Sequence, residues 1–512
     1  MPQVVDVVKT SMSDIWAARG LRKEDAERLM ELVTIWRERW SRNRLRSDFY
    51  DMKVMPESIG IALSPEMERK IAAACGWPTK AVDMLAQRSI PDAFVLESGE
   101  ESETLQRLLL DNRIAQKYPM AAISELKHAG MAWTLSRGAV GRSKVRIKTH
   151  SYESSAMVWD GVEERIAYGM AVIDTGRHPE TKAVQPSLVN LYTDEATVVL
   201  RRDEAGQWSA EYFPHRLGRP LMEPMCYSPT IDKPFGRSRI TRSVMALTLS
   251  KLREDMRTEL SAEFYTTPQR YLLGADEEAF DMNRYQAYIG NIFLASKDED
   301  GDVPEFGQLS QGTMQPHTDY SRSLAAQFSG ETGIPLHSLG IVSDNPDSAE
   351  AMQMAERDLV QLAEQMNRTN GESLRNVALM AMALSKSPVA TLDSLSDDEY
   401  SVMVKWHNPS MPNISATADA WQKLASAAEW IGETEEFLEG VGIDRATRRR
   451  MLNQKRLIQA RSFMEVGIAD TEGGDSGVFG NAAGEQGSGG SLRVSGVIQE
   501  DEPAGNGGIV AE

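Results

Sequence analysis

Apolar positions recur three or four apart at Leu29, Leu32, Ile35, Trp36 and Trp40, with Arg37 and Glu38 between them, which predicts an amphipathic helix early in the chain. Prolines at 56, 65, 78 and 91 divide the region up to about residue 130 into short helices and extended pieces. The texture then changes. From about 129 to 214, SKVRIKTH (143–150), RIAYGMAVI (165–173), SLVNLY (187–192), ATVVLRR (196–202) and QWSAEYF (207–213) are short, β-branched or aromatic, and turn-forming residues separate them. An antiparallel meander inserted into a helical frame is the reading.

Helical periodicity returns after Pro234-Phe235-Gly236. Met245, Leu249, Leu252, Met256, Leu260 and Phe264 form one narrow apolar stripe from Ser238, the expected N-cap, to about Tyr265. Pro268 closes this helix. A strand over 268–274, a helix over 277–288, a second strand at 292–296 and an acidic turn follow. Another helix runs from about Pro316 to Ser329 and stops at the breakers Gly330 and Gly333. After a loop from His337 to Asn345, Asn345 and Pro346 open a long helix, which Asn370-Gly371 is expected to break or bend before Leu374–Leu384 resumes the pattern. A strand at 400–406 and helices over 415–465 complete the ordered chain. The stretch from 471 to 512 is Gly-rich and acidic and reads as disordered. The fold class is therefore α+β and mainly helical.

Charge narrows the function. The 512 residues carry 56 Lys and Arg against 75 Asp and Glu, a formal charge of -19, which excludes a globally basic nucleic-acid binder. Cys75 and Cys226 are too few for a disulfide framework or a four-thiolate zinc site, so a reducing interior fits. Asp6, Lys9 and Asp14 interrupt what would be a signal core and no run approaches a membrane span, which reads as a soluble chain without a cleavable signal. The near-Walker spacing at 484–491 has Gly490 where lysine is needed. The carboxylates of 298–302 lack the glycine and the final Glu of a calcium loop. No paired histidines or nucleophile elbow stand out, and His317 and His337 read as loop residues. No cofactor, metal or catalytic residue is assigned.

Two candidates remain. The densest basic cluster, Arg445, Arg448, Arg449 and Arg450, reads as a helix face paired with Glu433 to Glu439 or as a contact to a nucleic-acid backbone. The long helices with narrow stripes read as surfaces that would stay wet in a monomer and become subunit contacts in a ring.

The order of signals resembles the portal proteins of tailed double-stranded-DNA bacteriophages, in particular the long, non-contractile-tail branch from actinobacteria. The carrying pieces are Asp48-Phe49-Tyr50-Asp51, Trp77-Pro78 with Ala81-Val82-Asp83-Met84-Leu85-Ala86-Gln87-Arg88, Pro234-Phe235-Gly236-Arg237-Ser238-Arg239-Ile240, Thr267-Pro268-Gln269-Arg270-Tyr271-Leu272-Leu273-Gly274 and Asp344-Asn345-Pro346-Asp347-Ser348-Ala349-Glu350-Ala351. One departure is Met52 after the Tyr-Asp pair, where such proteins commonly have glycine.

The resemblance implies a ring, usually of twelve copies, at one capsid vertex. Double-stranded DNA crosses it without sequence specificity during packaging and ejection. Implied partners are the terminase large subunit, a head–tail adaptor, and the major capsid and scaffolding proteins, with no membrane. By position, 1–237 is a wing with a β meander, 238–265 a stem helix, 266–315 a clip and 316–335 a second stem helix. A tunnel loop occupies 336–348, a long helix and strand 349–409, a helical crown 410–468 and the tail 469–512. The tunnel-loop candidates are Ser338, Leu339, Gly340, Ile341, Val342, Ser343, Asp344 and Asn345, and the stem candidates Arg239, Arg242, Lys251, Arg253 and Arg257. The competing readings are a nucleic-acid-processing enzyme of the packaging machinery and a capsid scaffold or shell protein.

Overall fold

The structure, a computed structural model, describes residues 12, 14–56, 73–98, 102–138, 143–177, 182, 184–266, 270–273, 305–308, 312–341, 349–387, 391–410, 414–443 and 445–471. The helix expected over 277–288, the strand at 292–296, the acidic turn, Val342 to Asn345 with the Asn345-Pro346 start signal, and the acidic tail lie outside these residues. The chain divides into two compact units, 1–411 and 412–512.

The first unit opens with helix α1 (Lys23–Tyr50), α2 (Trp77–Ala86), strand β1 (Pro91–Val95), α3 (Glu103–Asp111) and α4 (Ile114–His128). Pro78 lies in the first turn of α2, where its missing N–H costs nothing. Eight strands follow: β2 (Gly130–Arg137), β3 (Val145–Ser151), β4 (Ser155–Asp160), β5 (Arg165–Arg177), β6 (Val184–Tyr192), β7 (Ala196–Arg202), β8 (Trp208–Pro214) and β9 (Met222–Cys226). Strands β4 to β8 make a five-stranded antiparallel meander in sequence order, while β3, β2 and β9 form a separate three-stranded sheet with β2 central. Both sheets suit the β-branched and aromatic segments read from the sequence.

Helix α5 (Arg242–Thr266) precedes the two-stranded pair β10 (Arg270–Leu273) and β11 (Glu305–Gln308), and α6 (Gln315–Thr332) leads into a 3-10 turn at Leu336–Leu339. The long α7 (Ala349–Lys386), the single turn α8 (Asp397–Tyr400) and β12 (Met403–Trp406), which pairs with β1, end the unit. The second unit holds α9 (Ile414–Ala427), a 3-10 turn at Glu429–Glu433, α10 (Glu435–Gly440) and α11 (Arg445–Thr471). Among the described residues no helix is long and apolar enough to cross a membrane.

Two apolar cores organise the first unit. In the smaller, Leu29, Leu32, Val33 and Trp36 of α1 meet Met170, Val189, Leu191, Val198 and Leu200 of the meander. In the larger, α2, α4 and the β3-β2-β9 sheet surround α7, whose residues from Val377 to Leu384 are all buried. A helix that is apolar on every side belongs in a core, whereas the exposed Met354, Arg357 and Asp358 show that the other end of α7 is one-sided.

Three expectations are corrected. Helix α7 runs unbroken through Asn370-Gly371, because Asn370 is fully buried and donates from Nδ2 to Tyr118 Oη at 3.0 Å and Glu125 Oε2 at 2.8 Å. Helix α6 continues past Gly330 and ends at Gly333, whose left-handed φ of 66° favours glycine. The apolar stripe of α5 does not stay wet. Leu252, Met256 and Leu260 of the stripe are buried within the one chain, where α5 packs on α2 and α6, while Met245 and Leu249 are half-buried.

Candidate functional site

The segment 234–240 is the joint from which α5 leaves the sheets. Phe235 stands edge-on to Tyr152 and Trp159, with ring centroids 6.5 and 6.0 Å away. Gly236 has φ 73°, and any side chain there would collide with the Tyr227 and Ala129 carbonyls. Ser238 is not the N-cap of α5, which begins at Arg242. It is buried and donates to the Lys127 carbonyl at 2.6 Å, satisfying the end of α4.

Arg239 is also corrected. As a stem residue it was open to facing a channel, but it is buried before the helix starts. Its Nε donates to the Ala81 carbonyl in α2, Nη2 donates to the Thr332 carbonyl at 2.5 Å, and Nη1 reaches Tyr227 Oη at 3.3 Å. Burial pushes its pKa down, opposed by Tyr227. A guanidinium has five donors in a rigid fork, and here two of its nitrogens donate to carbonyls, one at the negative end of α6, and the third reaches the Tyr227 hydroxyl. Arg239 therefore clamps α2, the β9 exit and the α6 terminus at one point.

From that clamp α5 and α6 run as a pair. Trp77 of α2 and Phe328 of α6 lie 4.9 Å apart, and Lys251 sits 5.9 Å over the Trp77 ring while it pairs with Asp255. Arg253 bonds Ser250 at 3.2 Å, Arg257 lies 3.9 Å from Glu254, and Arg242 is exposed. Lys251, Arg253 and Arg257 thus serve contacts along α5. Glu254 is buried and His317 Nδ1 sits 2.6 Å from its Oε1, tying α5 to α6 across the pair. Sequence reasoning missed that link and placed His317 in a loop; it lies in the first turn of α6. The sequence carried little signal for it, since Glu254 stands beside Asp255 on the charged side of the helix away from the stripe.

Of the tunnel-loop candidates, Ser338 to Ile341 are described. Ser338 and Leu339 belong to the 3-10 turn, and His337 with them, rather than to a free loop. The Ser338 carbonyl accepts from Lys80 Nζ, and Leu339 and Ile341 pack against the large core. Gly340 is left-handed at φ 84° with open space around it. The described part of the segment is rooted on α2 and turns at Gly340.

In the second unit, Arg448 is buried, 3.7 Å from Glu435 and 3.6 Å from Glu439, and donates to the Ile443 carbonyl at 3.2 Å. The pairing with the preceding acidic segment is present, but Arg448 is no solvated residue. Arg449 and Arg450 are exposed, Arg450 bonding Thr447 at 3.2 Å, and the side chain of Arg445 lies outside the described set. Both cysteines are buried free thiols, pushed up by burial to about 11 at Cys75 and about 12 at Cys226.

The motifs quoted from the sequence meet in this frame. Tyr50 donates to Asp83 Oδ1 at 2.8 Å, and Arg88 reaches Glu356 of α7 at 2.9 Å and the Pro409 carbonyl at 3.0 Å. Met52 adopts the left-handed φ of 57°.

Residues 241–434, from the joint into the second unit, match the family described as phage portal protein, SPP1 Gp6-like. The portal protein of Mycobacterium phage D29 is 26% identical over 454 residues, covering 86% of this chain and 90% of that protein. That of Mycobacterium phage L5 is 26% identical over 438 residues, covering 83% and 86%. Among solved structures, a chain in the neck of an empty gene transfer agent (GTA) particle computed with C6 symmetry is 13% identical, with a TM-score of 0.39, over 77% of this chain and 94% of that one. The curated relatives are thus portal proteins of phages, and this chain is similar to them over most of its length, with the family match confined to 241–434.

Proposed function

We propose that copies of this chain close into a ring, of twelve subunits, at one capsid vertex, and that double-stranded DNA enters and leaves through its centre. The carrying observation is that the likeness to two portal proteins extends over more than four-fifths of the chain. The wing is 1–237, α5 and α6 form the stem, 266–315 the clip, and 410–468 the crown. The 3-10 turn and the residues after it, 336–348, are the tunnel loop. Ser338 to Asn345 carry no Lys or Arg, which suits a segment that touches sliding phosphates lightly.

The role is non-enzymatic: the ring docks the terminase large subunit during filling and a head–tail adaptor afterwards, within a shell of major capsid and scaffolding proteins. It assembles in the host cytoplasm. Since most of the described α5 stripe is covered within the chain, ring contacts draw on other surfaces as well. Met354 on the one-sided end of α7, and Trp430 in the second unit, are large apolar side chains left open. Electron microscopy of particles bearing a tag on this chain tests the reading. Label at a single vertex supports it; label spread over the shell would instead mark a shell protein and overturn it.

A further inference from the structure

A cleft of about 910 Å³ opens where α3, α4 and β3 meet, far along the chain from the joint and the tunnel loop. Arg107, Arg113, Lys117, Arg146 and Lys148 line it against a single carboxylate, Asp111. In a chain of formal charge -19, five cations around one opening are a local inversion of sign.

The cleft is built, not incidental. Asn112 is buried and donates from Nδ2 to the Leu108 carbonyl at 2.9 Å and the Val145 carbonyl at 2.8 Å, while its Oδ1 accepts from Ile147 N–H at 2.8 Å. One side chain thus locks the end of α3 and the start of α4 to β3. Arg113 follows with φ 53°, a left-handed conformation that a non-glycine residue holds only when its surroundings enforce it. On β3, Val145 and Ile147 point into the core, so alternation sends Arg146 and Lys148 to the opposite face, toward the cleft. Lys117 donates to the Ile147 carbonyl. Burial lowers the Lys117 pKa, and Arg146, Lys148 and Arg113 lower it further, a sign of how closely the like charges crowd. Among the described residues none of Arg107, Arg113, Arg146 and Lys148 forms an ion pair.

Like charges held together at a strained backbone, outnumbering Asp111 in the lining and Asp174 near Lys148, are arranged for an anion. The lining contains no aromatic ring on which a base could stack, and the exposed Leu110 and Met120 of the same helices are not part of it. We propose that this cleft binds backbone phosphates of double-stranded DNA without reading sequence, at a site separate from the channel. The phosphate chemistry follows from the lining; the choice of DNA as its source rests on the portal reading.

The test uses the full chain and a short duplex oligonucleotide at low salt, followed by fluorescence anisotropy. The double substitution Arg146→Gln with Lys148→Gln should weaken binding roughly tenfold and reduce the salt slope by about 0.9 for each phosphate no longer neutralised. Arg107→Gln with Arg113→Gln, on the other wall, should do likewise. Arg177→Gln, an exposed cation elsewhere, should change little. Pyrophosphate should compete with the duplex and polyglutamate should not. Unchanged affinity in both double variants, an equal loss with Arg177→Gln, or polyglutamate binding as tightly as the duplex would overturn the proposal, the last pointing to an acidic protein ligand. Ring formation read on the same samples keeps a failure of the cleft distinct from a failure of the portal reading.

Discussion

Positive charge meets two different fates in this molecule. At the joint, Arg239 is alone and buried, and each of its three guanidinium nitrogens has a partner, carbonyls from α2 and α6 and the Tyr227 hydroxyl. In the cleft, five cations crowd around one lining carboxylate, with Arg107 and Arg113 exposed, Arg146 and Lys148 half-buried and Lys117 donating to the Ile147 carbonyl. The first arrangement stabilises the chain itself; the second leaves its charge available to something outside. What separates them is the supply of acceptors within reach, and not how many basic residues stand together in the sequence.

The sharpest way to break that contrast is Arg239→Ala. It strands two buried carbonyls and unties three elements, so the loss should be about 3–5 kcal/mol, read as a large drop in Tm. A variant as stable as the parent would show that the clamp does not hold the joint.

Next in size is Glu125, an acidic residue facing the same problem of burial. It is fully buried with Asn370 as donor, and burial raises its pKa to about 8 from an ordinary value of 4.5. A raised carboxylate binds more protons folded than unfolded, so stability contributed by this group falls as pH rises from about 4.5 to 8, then levels. Glu125→Gln should remove that fall and gain on the order of 3 kcal/mol at neutral pH relative to the parent. Parallel stability–pH curves for the two proteins would refute it.

Arg448 tests whether a cation in a basic cluster can belong to the internal class. Arg448→Ala should cost the second unit about 1–2 kcal/mol, followed by proteolysis of the region after 412, whereas Arg450→Ala should cost almost nothing. The smallest effect is at Met52, held left-handed at φ 57°. Met52→Gly should stabilise by about 1 kcal/mol through relief of that strain, visible as a small rise in Tm.

How much of this was legible follows from the same distinction. The meander could be read because period-two alternation and turn residues are local properties, and β5 through β8 lie close to the segments they predict. The joint motif was visible as residues but its chemistry was not. Ser238 looked like a cap for the helix after it, while it satisfies the carbonyls of α4, far back in the sequence. Arg239 looked like a surface stem residue because nothing nearby along the chain announces Ala81 or Thr332 as acceptors. Asn370-Gly371 looked like a break because propensity cannot show that Tyr118 and Glu125 wait for that amide. The α5 stripe looked unpartnered for a related reason: its cover, α2 and α6, is contributed from both sides of it in the chain. The cleft escaped altogether, since its cations are spread from 107 to 148 and never form a run.

With much of the stripe covered within the chain, the claim that copies close around a hole needs its own direct measurement. Mass photometry of the purified full chain, with negative-stain images of the same sample, supplies it. A dominant species near twelve times the 56.8 kDa subunit mass, imaged as rings with a central opening, is the predicted result. A solitary monomer that persists at high concentration, with no annular particles in the images, would contradict it.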